Sequence, residues 1–234
     1  MQHPVFFNFQ GNAVAAVLAF LGFGFAEGVA ALAAIVLFAV RKPRAAAVVL
    51  AGAAGLAALY CWALLVFSLA SREQVAAVGE EKYFCEVDCH LAYSVVDVRG
   101  SKVLGKGSAR TAARGLYRIV TVRVRFDPET TSVHRPKDMA LTPNPRFVRV
   151  VAACGSTYRP DPTGQRALET VEGPAIPLTK SLRPGESYTT RLVFDVPETA
   201  RDPRLLVTES DWITRALIGH ENSPLHRKTS FRLG

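Results

Sequence analysis

Two apolar runs near the N-terminus constrain this chain more than any other feature. Residues 13–40 and 45–70 are 28 and 26 residues long, and between 13 and 70 the only charged side chains are Glu27, Arg41, Lys42 and Arg44. Crossing about 30 Å of hydrocarbon takes roughly 20 apolar residues at about 1.5 Å each, so each run is long enough to span. The connector 41–44 (Arg-Lys-Pro-Arg) permits little but a reversal, and Pro43 suits a break between helices. The expectation is a transmembrane α-helical hairpin over 13–70, preceded by a short tail, 1–12. A freely soluble single domain is excluded, because no water-facing fold hides two such runs.

A cleaved signal peptide fits poorly, since the first 40 residues hold no Lys or Arg and the apolar run exceeds the usual h-region of about 7–15 residues. Orientation follows the Lys/Arg bias. The tail has none and the connector has three, while 71–86 offers Arg72 and Lys82 among four glutamates. The connector is therefore expected in the cytoplasm, with both termini outside it. The expected location is a bacterial cytoplasmic (inner) membrane, with the C-terminal portion periplasmic or extracellular.

Glu27 splits the first run into pieces too short to span, so a spanning helix carries it into the hydrocarbon, neutral or paired. It is read as a contact to another helix, or alternatively as the site of a proton-linked membrane component. Gly24 and Gly28 form a GxxxG pattern that lets helix backbones approach. Gly24, Glu27 and Gly28 are therefore the helix-packing candidates, and a homo-oligomer or an envelope protein is the expected partner alongside the lipid bilayer.

Beyond residue 70 the composition changes. Residues 71–234 hold 25 Lys+Arg against 19 Asp+Glu. Residues 71–81 read as a polar linker. From 82 to 234 apolar residues alternate with period two between Pro/Gly-rich turns. Strands are expected over 83–98, 116–126, 147–154, 188–196, 204–208 and 227–233, with about two helical turns at 211–218. Connections too short for crossover helices predict an all-β antiparallel sandwich.

One stretch resembles a known family. Leu182-Arg183-Pro184-Gly185-Glu186, followed by Phe194-Asp195-Val196-Pro197, with Gly155-Ser156-Thr157-Tyr158 upstream, is similar to bacterial exported domains with a telokin-like, immunoglobulin-like sandwich. The resemblance covers roughly 90–210. It implies an immunoglobulin-like fold and an extracytoplasmic location, and brings over no catalytic residue. The N-terminal hairpin and the Cys85/Cys89 pair depart from the family pattern.

The local constellation worth chemical attention is Cys85-Glu86-Val87-Asp88-Cys89-His90. Along one strand, residues four apart lie about 13 Å from each other, beyond the roughly 4.4–6.8 Å a disulfide requires. Cys85 and Cys89 pair only in a bent segment; the alternative is a bridge from one of them to Cys154. Cys85, Cys89 and His90 are also candidate ligands for copper or zinc, with the fourth to come from His134, Met139, His220 or His226. Redox exchange lacks an activating base, since only Lys82 is near. Glu86, Asp88 and His90 read as one solvated strand face. Ser223, His220 and Asp211 lack a nucleophile elbow, and no phosphate-binding glycine motif occurs.

Arg outnumbers Lys 21 to 7, and Arg110, Arg114, Arg118, Arg123 and Arg125 crowd one strand and its approach. Only Tyr117 could stack there, so no nucleic-acid partner is expected; a face with cross-strand ion pairs or an attraction to anionic lipid fits better. The functional expectation is a non-enzymatic membrane-anchored binding or assembly module of the cell envelope, without a cofactor. The alternative is copper, zinc or redox handling through Cys85, Cys89 and His90.

Overall fold

The computed structural model describes residues 6–9, 12–86 and 90–234. They form two compact units. One comprises Glu73–Ser210, Lys228–Gly234 and the N-terminal residues up to Asn8; the other comprises Phe9–Arg72 and Asp211–Arg227.

The second unit contains α1 (Ala13–Ala39) and α2 (Pro43–Ala70), both long and apolar enough to cross a membrane. Asn12 caps α1 by accepting from the Ala15 amide at 3.1 Å. Pro43 opens α2, where its missing N–H costs no helical hydrogen bond. Small side chains let the helices approach, and Ala34 and Ala46 are buried between them. Their other faces are bare: Leu18, Phe25, Leu32, Ile35, Val48 and Leu69 are each more than 60% exposed. The unit also holds 211–227, where the expected two-turn helix is instead a short 3-10 turn, Ile213–Ala216.

The first unit is β-rich. Among the described residues, β1 (Phe6–Phe7), β3 (Lys82–Cys85), β4 (His90–Leu104), β5 (Thr111–Asp127) and β8 (Ser187–Val196) form one five-stranded sheet in the order β1-β3-β4-β5-β8. The second sheet has the order β2-β10-β9-β6-β7, from β2 (Gln74–Ala76), β6 (Arg146–Val151), β7 (Thr157–Tyr158), β9 (Arg204–Glu209) and β10 (Thr229–Arg232). Inward side chains of both sheets share one core, with Phe84, Tyr93, Val122 and Phe194 from the first and Val150, Leu205, Val207 and Phe231 from the second.

The purely antiparallel sandwich is corrected, since both sheets are mixed: β1 runs parallel to β3, and β2 runs parallel to β10. Both parallel partners are short strands from segments read as tail and linker. Val75 and Ala76 pair with Ser230 and Phe231, so the 71–81 stretch is partly built into the sheet. The single strand expected over 83–98 is a hairpin, because the chain reverses between Cys85 and His90 and pairs them in register.

The structure adds a helix where the sequence pattern predicts a turn. Pro160-Asp161-Pro162-Thr163-Gly164 read as a turn, but it opens α3 (Pro162–Glu172). Asp161 caps it, accepting from the Thr163 and Gly164 amides at 2.8 and 3.0 Å. The helix lies on the outer face of the first sheet, where Ala167 and Leu168 pack with Leu104, Tyr117, Ile119 and Val193. Gly164 makes the close approach possible: a Cβ there would sit 2.8 Å from the Tyr117 ring and 2.9 Å from a Val193 methyl.

The Arg183–Glu186 stretch is a turn with Gly185 at φ +85°, as a residue after proline requires in a type II turn. The Glu186 amide donates to the Arg183 carbonyl at 3.0 Å, and the Glu186 carboxylate accepts from the Arg183 amide at 2.8 Å.

Candidate functional site

The reversal after β3 sets the chemistry of the Cys85 region. Cys85 ends β3 and His90 begins β4, and as directly paired residues they project from the same sheet face. Cys89, with Val87 and Asp88, lies outside the described residues. Glu86 and His90 do not share a solvated face as the period-two reading had it, because the reversal restarts the alternation. His90 joins Tyr83 and Phe7 on the outer face, with ring centroids 6.3 and 5.8 Å away. Glu86 turns inward.

Glu86 meets Arg146, whose side chain is 0% exposed, at 2.5 Å. The Asn144 side-chain amide donates to the other Glu86 oxygen at 2.8 Å. Glu209 lies 3.6 Å from the same guanidinium and accepts from the Asn8 side chain at 2.7 Å. Asn8 in turn accepts from the Cys85 amide at 3.2 Å. The Arg146 guanidinium also stacks over Phe84, at 4.5 Å from the ring centroid. Lys82 is buried, with its ammonium also over the Phe84 ring at 4.8 Å from the centroid and donating to the carbonyls of Val207 and Thr229. Two cations and two carboxylates thus tie β3 of one sheet to β6 and β9 of the other, a network that single-strand reading could not assemble. Burial pushes the Glu86 carboxyl upward, against the pull of Arg146.

This arrangement separates the cysteines. Burial, reinforced by Glu209 and Glu86, pushes the Cys85 thiol up to about 11. Lys82 points to the opposite sheet face and cannot assist it. Cys154, in the turn after β6, is exposed; its hydrogen bond to the Ser156 hydroxyl at 3.2 Å lowers its pKa. Cys61, Cys85 and Cys154 are free thiols in this structure. Among the described residues no group of three or more His, Cys, Asp or Glu side chains is arranged to hold a metal. Cys85 and His90 are the two candidate ligands that the fold brings together.

The remaining candidates have other tasks. His220 Nδ1 accepts from the Asn222 amide at 3.0 Å, and the Ser223 hydroxyl donates to the Leu217 carbonyl at 2.6 Å. A Ser/His/acid site is therefore not built from them. Glu27 is half-buried, with Oε1 enclosed and without a hydrogen bond. Gly24 and Gly28 are exposed, and a Cβ on either would meet nothing within 4 Å. Their face is open, and the packing of α1 on α2 does not use it.

Much of the basic surface is ion-paired. On the outer face of the first sheet Glu81 takes Arg125 at 2.7 Å and Arg123 at 3.1 Å, and the Arg125 hydrogen bond holds the Glu81 carboxyl below its ordinary range. Glu172 at the end of α3 takes Arg99 and Arg191 at 3.1 and 2.7 Å. A cleft of about 760 Å³ lies beside the start of α3, with Lys102, Arg114, Arg159, Asp161, Asp195 and Glu198 in its lining. Its carboxylates are engaged: Asp161 caps α3, Asp195 accepts from the Arg114 and Gly115 amides at 2.8 and 2.9 Å, and Glu198 pairs with Lys102. The sequence signal for this cleft was the pair of aspartates beside prolines, Asp161-Pro162 and Asp195-Val196-Pro197, which read as turn and strand chemistry.

No protein-family model and no curated protein matches the chain. Two solved structures are similar to it. A conserved hypothetical protein from Bacillus anthracis is 16% identical, with 56% of this chain and 89% of that one covered and a TM-score of 0.41. The secreted protein MPT63 from Mycobacterium tuberculosis is 14% identical, with 70% and 99% covered and a TM-score of 0.43. At these scores neither likeness carries a functional argument.

Proposed function

We propose that this chain is a membrane-anchored binding or assembly module: α1 and α2 cross the bacterial cytoplasmic membrane, and an immunoglobulin-like β unit is displayed on its outer side. The observation that carries the proposal is the bare apolar surface of the two helices, with Leu18, Phe25, Leu32 and Ile35 of α1 and Val48 and Leu69 of α2 all exposed. Leaving that surface in water would cost about 25 cal/mol per Å²; lipid or a partner helix must cover it. The three basic residues of the connector favour its cytoplasmic placement. The β unit supplies a rigid scaffold, with its charges paired across strands and the cleft beside α3 as a surface for a partner. The expected result is a chain that stays with membranes through alkaline carbonate and high salt and leaves only with detergent. Release by carbonate would refute the anchor.

A second reading is favoured by the Cys85–His90 register. Copper or zinc bound through Cys85 and His90, with Cys89 as a third ligand, would displace the Cys85 thiol proton that burial retains. The measurement is metal content of the purified full chain after reduction. Stoichiometric metal that is lost in Cys85→Ser supports this reading, and metal-free protein after loading with either ion removes it.

A further inference from the structure

We propose that the groove between α1, α2 and the Ile213–Ala216 turn binds an anionic phospholipid, with an acyl chain against Phe20, Phe23 and Leu64 and the phosphate on Arg215. This rests on the reading of α1 and α2 as membrane-spanning.

The groove encloses about 430 Å³ and is lined by apolar and aromatic side chains apart from Arg215. Its wall is built, not incidental. Phe23 and Tyr60 stack at 4.4 Å, and the Tyr60 hydroxyl donates to the Ala216 carbonyl at 2.7 Å, pinning the turn to α2. The turn is braced from within: Asp211 accepts from the Ile213 amide at 2.9 Å, Thr214 donates to the Asp211 carbonyl at 2.5 Å, and Asn222 donates to Thr214 at 2.9 Å. This bracing holds Trp212 outward at 73% exposure, with Ile213 38% and Leu225 68% exposed in the same segment.

Depth and charge select the occupant. About 20 residues of helical rise from Arg41 and Arg44, roughly 30 Å, reach Leu21 and Leu64. The groove therefore lies at the boundary of the leaflet opposite the connector. Trp and Tyr, here Trp212 and Tyr60, concentrate at that boundary, where an aromatic ring sits among headgroups, and a guanidinium there meets phosphate in a two-point contact. No carboxylate among the described residues is ion-paired with Arg215. A zwitterionic lipid brings its own cation to such a site, whereas an anionic headgroup brings only the complementary charge. One basic residue near the surface corresponds to about fivefold local enrichment of anionic lipid.

The chain has two tryptophans, so Trp62→Phe leaves Trp212 as the sole reporter. The full-length variant is reconstituted in phosphatidylcholine vesicles carrying a minor fraction of either dibrominated phosphatidylglycerol or dibrominated phosphatidylcholine. Trp212 fluorescence is expected to respond as though the brominated anionic lipid were enriched about fivefold at the site. Arg215→Gln should abolish that preference, and Arg215→Lys should retain part of it. Equal quenching by the two lipids overturns the proposal. So does an unquenched Trp212 when Trp62, in a Trp212→Phe variant, is quenched; that result leaves the anchor standing. Quenching of neither tryptophan removes the membrane reading and this inference with it.

Discussion

Arg146 shows how much one residue can decide. Its side chain is fully buried between Glu86, Glu209 and the Phe84 ring, so removing it leaves two carboxylates desolvated without their cation. Arg146→Ala is expected to cost about 3–5 kcal/mol in denaturant unfolding. Arg123, with a side chain 41% exposed in its pair with Glu81, should cost about 1 kcal/mol or less on the same substitution. The cysteines offer a second contrast. Cys154 is an exposed thiol with a lowered pKa and Cys85 a half-buried one with a raised pKa, so maleimide at neutral pH should label Cys154 before Cys85. Mass mapping of a short labelling pulse checks the order, and faster labelling at Cys85 would contradict the geometry. Glu86 and Cys85 were visible in the sequence as chemistry-bearing residues, but their faces were not. Alternation assigns a face only while the strand continues, and the reversal before His90 lies in the Cys/Asp/Glu run where no Gly or Pro marks a turn.

At the scale of elements, α3 and the first sheet depend on a missing side chain and a paired carboxylate. Gly164→Ala would drive a methyl into Tyr117 and Val193 and is expected to cost about 1–3 kcal/mol by overpacking; thermal unfolding reads it. Glu81 joins the segment before β3 to Arg123 and Arg125 on β5. Its folded pKa is held below the unfolded value, so its contribution is complete above the ordinary carboxylate range and is lost as pH falls through the depressed folded pKa. Acid unfolding followed by circular dichroism should show a shallower loss of stability on the acid side for Glu81→Gln. Strands β5 and β8 were legible because alternation runs through 116–126 and 188–196, whereas β4 was merged with β3 into one strand over 83–98 and its own alternation is broken by register shifts after Val95 and Ser101. Strands β1, β2 and β7 were not, since two or three residues carry too little pattern and are defined by long-range pairing. The α3 cap was legible in principle, as an Asp-Pro pair opens a helix as readily as a turn, and the outcome was decided by the apolar face of Ala167 and Leu168 meeting the sheet.

For the whole molecule, the apolar runs were the most readable feature, because length and hydropathy alone demanded two long helices. The organisation of the C-terminal stretch was less readable: 211–227 groups with the helices while 228–234 completes a sheet of the other unit. Such a return depends on side-chain contacts such as Tyr60 with Ala216, which leave no local signature. The central proposal is topological: a β unit on the side of the membrane opposite the Arg41-Lys42-Pro43-Arg44 connector. Cys154 tests it without a fusion. With Cys61, Cys85 and Cys89 replaced by serine, a membrane-impermeant maleimide applied to intact spheroplasts is predicted to label Cys154 fully. Labelling that appears only after the spheroplasts are lysed would contradict the account.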